Sequence, residues 1–126
     1  MTFQAGQKWR YHAPAEIADS RLIIGALMDF PGGQQIACCA VTGALQRRED
    51  GSIERALIPF LPMTIEALAG TVSAPDGAGE VPEEFAAQLQ AWSEDTRGLS
   101  YFTVPFEGSL ERLIGQQMAA IVGEGD

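Results

Sequence analysis

The chain has 126 residues, of which 46% are hydrophobic and 20% charged, and a formal net charge of -9 at pH 7. That balance excludes disorder, and a domain near this length buries roughly two-thirds of its unfolded surface, so neither a disulfide nor a structural metal is needed for folding. The acidic excess argues equally against nucleic acid, because duplex affinity comes largely from Lys and Arg at phosphates, Lys8 is the only lysine, and the one adjacent basic pair, Arg47-Arg48, runs straight into Glu49-Asp50.

The same field disfavours anionic membrane surfaces and favours a basic partner. No run approaches the roughly 18 apolar residues of a membrane span, and residues 1–6 lack a basic start followed by an apolar stretch. The expectation is a single cytoplasmic domain over residues 1–126.

In residues 7–13 apolar and polar positions alternate, with Trp9 and Tyr11 on one face and Lys8, Arg10 and His12 on the other, which predicts a first strand. A loop over 14–20 leads to a second strand at 21–30. Strict alternation there puts Leu22, Ile24, Ala26 and Met28 on one face and Ile23 and Leu27 on the other. Pro31-Gly32-Gly33 supplies a fixed φ followed by a residue that tolerates positive φ, hence a tight reversal. The return strand passes through Ile36, the adjacent Cys38 and Cys39, and Val41 toward Leu45, and Asp50-Gly51 marks a second reversal before a fourth strand at 53–60. Pro59 lacks the donor that a central strand uses, so this strand belongs at an edge or ends there.

Thr64 is a suitable N-cap for a helix carrying Ile65, Leu68, Ala69 and Val72, which Pro75 stops, and residues 74–80 read as a surface loop. A second helix starts at Pro82, is favoured by Glu83 and Glu84 at its positive end, aligns Phe85, Leu89 and Trp92, and ends at Gly98. A fifth strand is expected at 99–104. The last helix starts near Ser109, with Leu110, Leu113, Ile114, Gln117, Met118 and Ile121 on one face. Consecutive strands followed by helices predict an α+β domain. The expected form is a strongly curled antiparallel sheet, or a small, partly open SH3-like barrel, of about five strands packed with two or three helices.

Gly6-Gln7-Lys8-Trp9-Arg10-Tyr11, Asp19-Ser20-Arg21-Leu22-Ile23-Ile24 and Phe102-Thr103-Val104-Pro105 together resemble a group of small bacterial proteins without an assigned function. The resemblance implies a self-contained bacterial domain and transfers no catalytic residue.

The chemistry-bearing residues are sparse. Neighbouring strand residues point to opposite faces, so Cys38 and Cys39 cannot form an unstrained bridge and read as two apolar fillers. His12 is the only histidine, and with two vicinal cysteines and scattered carboxylates it forms no spaced ligand set, so neither a metal nor a cofactor is expected. Asp76-Gly77-Ala78-Gly79-Glu80 lacks the alternating oxygen ligands of a calcium loop, and Glu83-Glu84 and Glu94-Asp95 read as helix-end acids. A hairpin would gather Arg10, His12, Glu16, Asp19 and Arg21 along one rim.

The leading functional expectation is therefore a non-enzymatic protein-interaction or binding module that engages another protein, or a second copy of itself, through its acidic surface or an aromatic patch drawn from Trp9, Tyr11, Phe60, Trp92, Tyr101, Phe102 and Phe106. The alternative is a small-ligand-binding protein or enzyme that holds an anion with Arg10, His12 and Arg21 at the mouth of the barrel.

Overall fold

The computed structural model describes residues 3–30, 33–94 and 101–124. Five strands, β1 (Gln7–Tyr11), β2 (Arg21–Asp29), β3 (Gln35–Arg47), β4 (Ile53–Thr64) and β5 (Val72–Ala78), form one sheet, accompanied by helices α1 (Ile65–Thr71), α2 (Glu84–Ser93) and α3 (Leu110–Glu124). The strand order is β4-β3-β2-β1-β5 with every pair antiparallel, so the first four strands form a meander and α1 carries the chain across to the far edge. Among the described residues no helix is long and apolar enough to cross a membrane.

This is the expected α+β class, but not the expected closure. Among the described residues nothing pairs β4 with β5, so the sheet stays open with an edge at each end, and neither an SH3-like barrel nor strong curling is found. The fifth strand also lies elsewhere in the chain. Residues 72–78, read as a helix end and a loop, pair with β1, and Pro75 sits opposite Trp9 beside a register shift. An edge strand has a single neighbour, so a proline and an interrupted register cost it little. Of the strand expected at 99–104, residues 99 and 100 lie outside the described residues, and Phe102 makes one isolated parallel bridge to Met63.

Other expectations hold. Trp9 and Tyr11 are buried while Arg10 and His12 are exposed. The Thr64 hydroxyl caps α1 by accepting the Ala67 N–H at 3.1 Å, and Gly51 takes the left-handed φ of +89° in the β3–β4 reversal. Residues 31 and 32 of the first reversal, and Gly98 at the expected end of the second helix, lie outside the described residues.

Apolar side chains collect on both faces of the sheet. On one, Trp9, Tyr11, Leu22, Ile24, Cys39, Val41, Leu61 and Met63 pack under α1 and α3 with Leu68, Phe106 and Leu113. On the other, Ile36 and Cys38 pack against Phe85 of α2, bordered by Ala26, Met28, Phe60 and Trp92. Strict alternation in β2 fails at Gly25. Ile24 faces Cys39 and Ala26 faces Cys38, so Gly25 is an inserted residue, and beyond it Leu27 joins the first face while Ala26 and Met28 join the second. A Cβ on Gly25 would overlap the Phe85 Cζ, so the bulge also clears the space in which the α2 anchor sits.

Candidate functional site

The cationic rim foreseen in the sequence is assembled only in part. Arg21 is half-buried and committed internally: its Nε donates to Asp76 Oδ2 at 2.7 Å, and its Nη1 donates to the carbonyls of Ala18 and Ser20, each at 2.9 Å. The Arg21 hydrogen bond, aided by the charges of Lys8 and Arg10, holds the Asp76 carboxyl below the usual aspartate range. Arg10 and Arg21 therefore share one neighbourhood, centred on Asp76. His12 is exposed, and its backbone N–H donates to the Thr71 carbonyl at 3.0 Å. Asp19 pairs with Arg55 at 2.8 Å, which depresses its carboxyl pKa and draws it toward β4.

The thiols offer no nucleophile. Both are fully buried, and as β-strand geometry requires they sit on opposite faces. Burial pushes the Cys38 thiol up to about 12 and raises Cys39 as well, so neither forms a thiolate near neutral pH. Among the described residues no three His, Cys, Asp or Glu side chains come together as a metal would require. Buried Tyr11 is satisfied by Ser20 at 2.6 Å, and because the Ser20 hydroxyl donates to the Thr42 carbonyl, the phenol donates to Ser20. That chain joins β1 to β3 and is structural.

The recessed apolar surface lies at the opposite edge of the sheet, along β4. A groove of about 400 Å³ is lined by Leu45 and Gln46 of β3, by residues 56–60 of β4, by Gln88 of α2, and by Glu111 and Ile114 of α3. Because α2 packs on one face of the sheet and α3 on the other, the groove follows the outer edge of β4 with a helix on each side. A neighbouring depression of about 550 Å³ shares Phe60 and Gln88 with it and adds Pro62, Trp92, Tyr101 and Phe102.

Why β4 is so shaped follows from its sequence. Pro59 falls where the β3 register shifts, between the pairs Val41–Ile58 and Cys39–Leu61, and the extra residue there sends Phe60 to the α2 face and Leu61 to the α3 face. Before that shift, Ile53, Arg55 and Leu57 face outward while Ile58 enters the core. Among the described residues the large apolar side chains left exposed are Ile53 at 57%, Leu57 at 46%, Ile114 at 44% and Met118 at 61%. All four belong to β4 or α3, and Met118 lies one turn beyond Ile114.

The sequence signalled part of this. Pro59 marked the edge strand, and Phe60, Trp92, Tyr101 and Phe102 of the aromatic patch are half-buried around the depression, whereas Trp9, Tyr11 and Phe106 fill the core. Ile114 and Met118, however, read as core positions of the last helix. In the fold Leu113 takes that place, and the Gln117 carboxamide turns back to accept the Thr103 N–H at 2.8 Å. Comparisons with protein-family models, curated proteins and solved structures return no match for this chain.

Proposed function

We propose that the protein is a non-enzymatic interaction module whose binding surface is the groove along β4. The observation that carries this reading is the confinement of the exposed Ile53, Leu57, Ile114 and Met118 to the two elements flanking one recess. Scattered exposed apolar residues are ordinary, but two of these four, Leu57 and Ile114, line the recess itself, and apolar side chains exposed in a concave surface are characteristic of an interface. Half-buried Trp92 and Tyr101 at its end are of the residue types that dominate binding energies. An anion site at Arg10, His12 and Arg21 has weaker support, because Arg21 already spends donors on Asp76, Ala18 and Ser20.

The test is selection of a random-peptide library on the folded protein, with the double variant Leu57→Asp/Ile114→Asp as the comparison surface. Both side chains are nearly half exposed and neither belongs to the buried core, so the variant is expected to keep close to the wild-type melting temperature while binding selected peptides at least about tenfold more weakly, the loss of one good contact. Absence of enrichment, or equal binding to both proteins, would remove this reading.

A further inference from the structure

We infer that the occupant of the β4 groove is an extended, basic segment of another protein that adds to the sheet as a sixth strand along residues 53–58. The inference rests on the interaction-module reading and names the kind of partner that its site takes.

The backbone supplies the first argument. β4 is the last strand of the sheet, and among the described residues its outer edge meets a backbone partner only near its C-terminal end, where the Phe102 N–H donates to the Pro62 carbonyl and the Thr64 N–H donates to the Phe102 carbonyl, each at 3.0 Å. The protein thus already places a piece of its own chain on this edge, in the parallel sense, with Phe102 bridging Met63. Among the described residues, no backbone group covers the edge from Ile53 to Ile58 in this way. Outward N–H and C=O groups there are matched by an extended chain, which brings unpaired backbone groups of its own, and not by a helix, whose groups are internally bonded. The outward Ile53 and Leu57 lie four positions apart on one face of the strand, so they meet a ligand whose apolar side chains recur at every second position.

Charge supplies the second argument. Among the described residues lining the groove, the charged one is the acidic Glu111. Among the described side chains, three nearby cations are held in intramolecular pairs: Arg48 with Glu54, Arg55 with Asp19 at 2.8 Å, and Arg112 with Glu107 at 3.2 Å. With a net charge of -9 the molecule repels a second copy of itself and attracts a cationic chain. The partner is therefore a segment that alternates apolar residues with Lys or Arg, and its association weakens with salt.

The probe is a capped heptapeptide, Lys-Val-Lys-Val-Lys-Val-Lys, set against its Glu-Val counterpart and against two versions N-methylated on alternate residues. The basic peptide is expected to bind at least about tenfold more tightly than the acidic one. It should slow hydrogen exchange of amides within residues 53–58, and it should lose binding on methylation of one alternate set but not the other, since only one edge of a strand faces β4. Leu57→Asp should weaken all of these effects.

Three outcomes would overturn the inference: tighter binding of the acidic peptide, equal tolerance of both methylation patterns, or a dimer by sedimentation that Leu57→Asp dissociates. If library-selected peptides of helical periodicity bind wild type but not Leu57→Asp/Ile114→Asp, while the heptapeptide leaves residues 53–58 unprotected, the module stands and the strand fails. Failure of every peptide removes both.

Discussion

Cys38 and Cys39 are adjacent in β3, yet they belong to layers built in different ways. Around Cys39 the core is sealed from several directions, by Leu68 of α1, by Phe106, and by Leu113 of α3, each nearly or wholly buried. Around Cys38 the one helix among the described residues is α2, joined by Val81 and Tyr101, and beyond Phe85 the neighbours Phe30, Phe60, Leu89 and Trp92 are only partly buried. A sheet with two apolar faces can thus be closed on one and less fully covered on the other, and the groove opens where the thinner layer meets the edge of β4. The first face is therefore expected to carry the larger share of the stability.

The largest expected effect tests the sealed face. Phe106 is fully buried, its ring centroid lies 5.4 Å from that of Tyr11, and its N–H donates to the Thr71 hydroxyl at 2.9 Å. Phe106→Ala removes a large ring from a site surrounded on all sides and should cost about 3–5 kcal/mol, measured by denaturant unfolding. Against a total of roughly 5–15 kcal/mol for a domain, that is a substantial share. A loss below about 1 kcal/mol would mean that the two faces do not differ in the way described.

Next in size is the contact on which the thinner layer turns. Gly25→Ala drives a methyl group into the tip of the Phe85 ring, at Cζ, and overpacking of this kind should cost about 1–3 kcal/mol. In a Phe85→Ala background the obstacle is gone, so the same change should be close to neutral, and the cycle should show a coupling of about 1–3 kcal/mol. Additive losses would indicate that Gly25 serves the backbone of the bulge and not the seating of α2. Amides of α2 are expected to exchange before those of β3 in the wild type, because one buried anchor holds the helix.

These elements also show where sequence reading succeeds and where it stops. The alternation in β1, the Thr64 cap and the opposed cysteines follow from local rules that no distant residue overrides. The faces of β2 beyond Gly25 do not, because a one-residue bulge inverts the pattern and its cause is a ring some sixty positions away in the chain. β5 escapes because Pro75, Gly77 and Gly79 are loop signals that an edge position tolerates. The groove was legible only through Pro59. The exposure of Leu57, Ile114 and Met118 depends on how α3 is oriented on the sheet, and an apolar stripe does not state how much of itself will be covered.

The smallest expected effect concerns the exposed part of the second face, where Asp76 ties β5 to Arg21 of β2 across the intervening β1. Its carboxyl titrates below the ordinary 3.8, so the folded state binds its proton less readily than the unfolded state does. The stabilisation is complete above the ordinary aspartate range and disappears as pH falls through the depressed value. Asp76→Asn keeps the shape and removes the charge. The variant should be slightly less stable than wild type near pH 7, and the two should converge once the wild-type carboxylate is protonated in strong acid, as followed by urea unfolding across that range. Raised salt should narrow the gap at neutral pH, because the pair is accessible to solvent. A difference that persists unchanged to low pH would assign the role of Asp76 to hydrogen bonding within the β5 turn, leaving the open half of this face held by backbone pairing alone.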